Sequence, residues 1–189
     1  MAGNALLNAK RILAATEVSS GMHVADFGVG RTGHLIFPAA EIVGEEGRVY
    51  GVDLVKDVLK MLEGRRRQYL VHNIDLIHGD IEAGDLAIPE RSLDRVFLVH
   101  TLPIARRHAE IASEIRRLLK DDGRIVVIDW HPDTEHPVAP QDQFRLHPNQ
   151  VDLAFARAGC DVCGQFSPST AHWGRIYRLV DYVGRDRRN

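Results

Sequence analysis

Residues Gly28-Val29-Gly30-Arg31-Thr32-Gly33 place three glycines at the spacing G-x-G-x-x-G. Glycine adopts the left-handed turns that such a loop needs and lets the backbone approach a ligand closely. The pattern is weak alone, because glycine-rich loops also occur without ligands. Nearby carboxylates strengthen it. Asp53 stands 20 residues beyond Gly33, where a strand-end carboxylate can accept hydrogen bonds from both hydroxyls of a ribose. Asp53 can also cap the helix that begins near Val55, and the two roles are compatible. Asp26 lies two residues before Gly28, and Asp80 falls in Ile77-His78-Gly79-Asp80-Ile81.

Two histidines have acid/base potential at neutral pH: His100, in Val99-His100-Thr101-Leu102-Pro103, and His131, after Asp129-Trp130. His100 can instead be a histidine bonded to a loop carbonyl, and Trp130 either walls a substrate or packs in the core. The run His131-Pro132-Asp133-Thr134-Glu135-His136 has the composition of a divalent-metal site, but a solvated loop accounts for it as well. No metal is therefore expected. Cys160-Asp161-Val162-Cys163 follows a helix instead of preceding one and has no second cysteine pair, so it reads as free, packed thiols. Arg65-Arg66-Arg67 suits the C-terminal end of a helix, or, joined by Arg185, Arg187 and Arg188, an RNA-facing patch.

These residues need a scaffold, and the hydrophobic pattern supplies one. Short apolar runs predict strands at His23–Phe27, Arg48–Asp53, Ile74–His78, Val96–His100 and Arg124–Trp130. Helical spacing over 4–16, 32–43, 55–66, 105–119 and 150–158 places helices between and around them, with Pro38 expected to kink the second. Residues 161–166 and 175–183 read as two successive strands, hence an antiparallel hairpin at a sheet edge. The alternation predicts a doubly wound α/β domain: a seven-stranded, mostly parallel sheet closed by that hairpin, with helices on both faces. Residues 131–148 hold four prolines and little periodicity, so they are expected to form a substrate-side loop, with residues 1–20 as an N-terminal helix or lid.

At 189 residues the sequence predicts a single domain with no room for a second catalytic one. A chain of this size buries roughly 70% of its unfolded surface, enough for a core without disulfide or metal staples. The formal charge of −2 argues against a strong, non-specific nucleic-acid binder. No apolar run approaches the roughly 18 residues of a membrane span, and no leader is apparent, so a cytoplasmic location is expected.

The ordered set D-F-G-V-G-R-T-G, V-Y-G-V-D, G-D-I-E and L-L-K-D-D-G-R-I-V-V-I-D-W, from about residue 20 to 130, resembles the class I S-adenosylmethionine (SAM)-dependent methyltransferases. The nearest branch contains the ubiquinone/menaquinone C-methyltransferases and the arsenite methyltransferases. The resemblance implies a Rossmann-like fold with SAM as cofactor, S-adenosylhomocysteine as product, and methyl transfer by in-line displacement to a small-molecule acceptor. It implies that Asp26 faces the methionine amino group and that Gly28, Gly30 and Gly33 form the loop around the methionyl portion. Asp53 would bind the ribose, Leu54 and Ile81 would flank the adenine, Asp80 would accept from its amine, and His100 would stand near the methyl.

The charge pattern agrees with that cofactor. SAM carries a sulfonium and an ammonium and no phosphate, so an acidic rim attracts it, whereas a pyrophosphate beside Asp26 would be repelled. An NAD-dependent oxidoreductase is further disfavoured because no tyrosine has a lysine four residues later. An RNA-directed methyltransferase and a non-catalytic SAM-binding domain remain as alternatives. Oligomeric state is not readable. The arsenite enzymes use a cysteine at the glycine-loop helix, and this sequence has none there, which puts arsenite in doubt as acceptor.

Overall fold

The computed structural model describes residues 6–180. Strand β1 (His23–Phe27) occupies the middle of the sheet, and its last four residues are buried. Continuous burial is what a parallel strand covered on both faces requires, and β2 (Arg48–Asp53) and β4 (Leu93–Val99) show the same pattern. With β3 (Ile74–His78), β5 (Leu119–Trp130), β6 (Cys160–Ser169) and β7 (His172–Leu179), they form one seven-stranded sheet of order β3-β2-β1-β4-β5-β7-β6. β1 to β5 run parallel, whereas β7 pairs antiparallel with both β5 and β6. The expected terminal hairpin is therefore present, with its second strand inserted inside the sheet.

Helices α1 (Ala9–Ala15), α2 (Ile36–Val43) and α3 (Lys56–Gln68) cover one face. Their Leu13, Ile36, Val43 and Leu62 pack with Val24, Phe97, Val126 and Ile128 of the strands. Helices α4 (His108–Leu118) and α5 (Pro148–Arg157) cover the other, where Ile111, Ile115, Val151 and Phe155 meet Ala25, Leu98, Val127 and Tyr177. The fold is doubly wound, with a separate apolar layer on each side of the sheet.

The bounds of β1, β2 and β3 are those the sequence predicts. Others differ for identifiable reasons. α2 starts at Ile36, not Thr32, so Pro38 falls in the first turn, where backbone N–H groups have no partner within the helix. The expected kink has no cause there. β5 starts at Leu119, ahead of the expected turn at Asp121-Asp122-Gly123, with a register shift between Leu93 and Arg95 absorbing the irregularity. Residues 4 and 5 of the expected first helix, residues 181–183 of the expected last strand, and Arg185, Arg187 and Arg188 lie outside the described residues. Among the described residues no helix is long and apolar enough to cross a membrane.

Candidate cofactor and acceptor site

A cavity of about 300 Å³ opens at the carboxyl ends of β1, β2, β3 and β4, where ligands bind in open parallel sheets. Gly28, Gly30, Asp53, Leu54, Asp80, Ile81 and His100 all line it, so the structure brings together residues spread over more than seventy positions of sequence. The strand order achieves this. β1 lies between β2 and β4, so the turn after β1 faces the ends of both neighbours.

Backbone geometry makes the glycine loop. Gly28, Gly30 and Gly33 have φ of 82°, 62° and 56°, all in the left-handed region that side chains disfavour. At Gly28 a Cβ would also lie 2.6 Å from Thr101 Oγ1. That hydroxyl is itself buried and donates to the Phe27 carbonyl at 2.8 Å, pinning the second residue after β4 against the end of β1. Gly33 does not line the cavity. A Cβ there would meet Leu62 at 2.8 Å, so its smallness serves the packing of the loop on α3.

Asp53 is the cross-brace of the site. Its Oδ2 accepts from the Gly30 amide at 3.0 Å and its Oδ1 from the Val55 amide at 2.9 Å. One carboxylate thus holds the glycine loop and the approach to α3 together, and each oxygen retains acceptor capacity for a ligand hydroxyl. Asp80 Oδ1 accepts from the Glu82 amide at 2.8 Å, which orients the turn after β3. Glu82 accepts from the Arg106 amide and from the Arg107 guanidinium, and these donors hold its carboxyl below the usual range. The apolar walls are Leu54, Val55 and Ile104, whose exposures of 62%, 53% and 80% mark them as surface waiting for a flat partner.

Asp26, in β1 two residues before Gly28, does not line the cavity. It is buried, its Oδ1 has no hydrogen-bond partner, and burial followed by the nearby charge of Asp53 raises its pKa to about 7. An unpaired carboxylate oxygen in that position is costly unless a cationic or donor group meets it.

Beyond the cavity wall is a group of rings that sequence reading captured only in part. His100 has φ 55° and stacks on Trp130 at 5.5 Å between centroids. His172, the first residue of β7, lies 4.2 Å from Trp130 and 4.9 Å from His100. His136 lies 6.0 Å from Trp130. Burial, then the neighbouring histidines, lowers the pKa of His100 to about 3 and that of His172 to about 4, so both rings are neutral near pH 7. The Nε2 atoms of His34, His100 and His172 are buried without partners. His172 was missed because its position follows from β7 pairing with β5, which puts it opposite Trp130. Thr101 and Glu82, also missed, stand inside the segments Val99–Pro103 and G-D-I-E, where attention fell on their neighbours His100 and Asp80.

His131 does not line the cavity. Its amide donates to the Ala171 carbonyl at 2.8 Å, tying the end of β5 to the β6–β7 turn. The following segment is fastened by Arg145, whose guanidinium donates to the carbonyls of Pro132, Thr134 and Pro140 at 2.7–2.9 Å. Among the described residues no three His, Cys, Asp or Glu side chains are arranged to hold a metal ion. Cys160 pairs with Leu179 at the opposite end of the sheet from His172, and both cysteines are free thiols. Arg66 and Arg67 share the Glu63 carboxylate of α3, while Arg65 lies over the Phe37 ring of α2, so each arginine of this basic run has a partner within the protein.

Residues 18–184 match the family model for a methyltransferase domain. A demethylmenaquinone methyltransferase from Listeria welshimeri is 32% identical over 157 residues, which is 83% of this chain and 61% of that protein. The chain thus spans about 61% of the length of this curated relative. A SAM-dependent methyltransferase from Aquifex aeolicus has the same fold, with TM-score 0.86 and 20% identity over 95% of this chain and 93% of that one. An arsenic(III) S-adenosylmethionine methyltransferase from Chlamydomonas reinhardtii superposes with TM-score 0.69 and 23% identity, covering 94% and 75% of the two chains. The overall fold is thus shared with these structures, and the chain belongs to the methyltransferase-domain family.

Proposed function

We propose that the protein is a SAM-dependent methyltransferase acting on a small-molecule acceptor. The observation that carries this reading is Asp26, a buried carboxylate with an unpartnered oxygen two residues before the glycine turn at the end of β1. The ammonium of a methionyl group satisfies it, whereas a phosphate would add repulsion. Gly28 and Gly30 would admit the methionyl chain, with Gly33 seating the loop on α3. Asp53 would receive the ribose hydroxyls, Asp80 the adenine amine, and Leu54 and Ile81 the faces of the adenine. His100 would stand where the cavity meets the acceptor side.

When bound, SAM supplies an activated methyl carbon. The residues contribute alignment, which is the main catalytic need of an in-line displacement. Val99, His100 and Thr101 end β4 beside the cavity, and the Thr101 hydroxyl fixes that turn relative to Phe27. The acceptor side, with neutral imidazoles and Trp130, favours an uncharged organic acceptor. The segment 131–148, fastened by Arg145, and helix α1, on the same face as α2, would enclose it.

Calorimetric titration tests the proposal. SAM should bind in the micromolar range, and Asp53→Ala should weaken it at least about 100-fold, because the ligand hydroxyls lose a charged acceptor and the glycine loop loses its brace. Absence of binding by the unaltered protein would overturn it.

A further inference from the structure

The turn after β4 carries an isoleucine that lines the cavity while largely exposed, and one carboxylate from the turn after β3 holds its far end. We propose that Glu82 is a positioning residue for the cofactor: it fixes residues 104–107 so that Ile104 forms an apolar wall against the adenine, beside Leu54 and Ile81. The inference rests on the cofactor reading above and adds to it what holds the adenine wall in place.

Residues 101–107 leave β4 as a short turn tied at both ends. At its start, the Thr101 hydroxyl donates to the Phe27 carbonyl at 2.8 Å, and the Leu102 side chain is buried. The His108 ring donates to the Leu102 carbonyl at 2.8 Å, and the Ala105 amide closes a single tight turn on the same carbonyl at 3.1 Å. At the far end, Glu82 Oε1 accepts from the Arg106 amide at 2.6 Å and from the Arg107 amide at 3.4 Å. Its Oε2 accepts from Arg107 Nε at 3.3 Å, so both oxygens are spent on one segment. Glu82 is itself oriented, because its amide donates to Asp80 Oδ1 at 2.8 Å. The turns after β3 and β4 are thereby joined through Asp80, Glu82 and Arg106. Between the two anchors stands Ile104, 80% exposed and part of the cavity lining together with Leu54, Asp80 and Ile81.

The carboxylate serves the turn and not the helix behind it. The Arg106 and Arg107 amides precede the first turn of α4, and no side chain caps the start of that helix. The Arg107 side chain is half exposed, so its ion pair with Glu82 contributes little to stability. What the three bonds do is remove freedom from the backbone that follows Ile104. An exposed apolar side chain gains by covering the flat face of a base, but ordering a loose segment at the moment of binding offsets that gain. A turn already ordered in the free protein avoids the cost, which is how a carboxylate committed to the backbone raises affinity for the ligand.

Calorimetric titration with S-adenosylhomocysteine tests this in the unaltered protein, Glu82→Ala, Ile104→Ala and the double variant. Each single change should weaken binding about tenfold, and the double variant should bind little worse than either, because Glu82 acts through Ile104. Losses that multiply to about 100-fold would overturn the proposal, as would a Glu82→Ala affinity equal to that of the unaltered protein. Glu82→Gln, whose side-chain oxygen still accepts from both backbone amides, should bind within about threefold of the unaltered protein. Binding by that variant as weak as by Glu82→Ala would also overturn it. NMR of protein carbon-13-labelled at its isoleucine methyls separates positioning from a merely structural role. The Ile104 methyl should move upfield when S-adenosylhomocysteine binds, as a methyl against a purine face does, and Glu82→Ala should lose most of that movement. An unchanged movement in Glu82→Ala, or none in the unaltered protein while the ligand binds, would overturn the role of Glu82 and leave the cofactor reading intact. Failure of the unaltered protein to bind the ligand at all would instead strike the cofactor reading and the inference with it, so the two failures are distinguishable.

Discussion

Thr101 fills the space that a side chain on Gly28 would need. Its Oγ1 lies 2.6 Å from the position of a Cβ on Gly28, while its hydroxyl proton is committed to the Phe27 carbonyl at 2.8 Å. The ends of β1 and β4 are therefore matched parts, one lacking a side chain so that the other can tie them together.

Gly28→Ala should cost about 2–3 kcal/mol, combining a left-handed backbone with a clash against a hydrogen-bonded hydroxyl. Thr101→Ala should cost about 1–2 kcal/mol through the unsatisfied buried carbonyl. The double variant should lose less than the sum, because the second change removes the clash made by the first. Urea unfolding of the four proteins measures the coupling, and strict additivity would show that the two residues do not constrain one another.

Asp53→Asn should separate the two tasks of that side chain. The amide oxygen can still accept from one backbone amide, but its NH2 faces the other as donor against donor. We expect SAM affinity to fall about 10- to 100-fold with a loss of stability of about 1–2 kcal/mol. Calorimetry and thermal melts on the same preparation would check both quantities.

SAM binding should depend on pH through Asp26. The free protein holds this carboxyl near pKa 7, through burial and the charge of Asp53. An ammonium pairs with the ionised form, so below pH 7 binding must first remove a proton. Affinity should then fall up to tenfold for each pH unit below 7 and level off above it. A flat affinity between pH 5.5 and 7 in Asp26-intact protein would contradict this assignment.

Asp129 makes the opposite kind of statement, about stability. It is buried, its Oδ2 has no partner, and burial raises its pKa to about 7 from 3.8. The folded state therefore retains a proton that the unfolded state gives up between about pH 4 and 7. Stability contributed by this group is fully present below pH 4, declines through that window and is lost above about pH 7. Asp129→Asn should abolish the decline, so its stability relative to the parent should rise by a few kcal/mol from pH 4 to pH 8. Denaturant midpoints at those two pH values read the difference.

Arg145→Met should release the segment between β5 and α5. Three backbone carbonyls lose their donor while the aliphatic stem is retained. Cleavage within 131–147 by a protease at low concentration should accelerate about tenfold or more, with little change in global melting.

The half of the site assigned to the cofactor under the proposed function was readable because each part is local. Asp53 ends β2, and Gly28, Gly30 and Asp80 follow the ends of β1 and β3 within three residues, so motif and element identify one another. The acceptor half is assembled by long-range pairing. His172 has no distinguishing neighbours in sequence, and only the antiparallel register of β7 with β5 puts it opposite Trp130. His131, conspicuous after the fifth strand, turned out to use its backbone on the hairpin turn while its side chain stays outside the cavity. The expected α2 likewise began four residues early, because Thr32–Leu35 is occupied by the turns of the glycine loop, with Gly33 at φ 56° outside helical geometry.

The insertion of β7 between β5 and β6 has a consequence for the order in which the molecule is made. A chain emerging from the ribosome can lay down β1 to β5 and the residues lining the cofactor cavity, all of which precede residue 106 apart from the β5 support. β6 then emerges with no edge to join, because its partner among the described strands is still to come. Only when His172–Leu179 arrives does the outer edge of β5 gain its neighbour, and with it His172 reaches Trp130. Under the proposed function, the lining assigned to the cofactor is thus complete before the ring cluster assigned to the acceptor side, and the exposed edge of β5 is where a nascent chain most needs protection from aggregation.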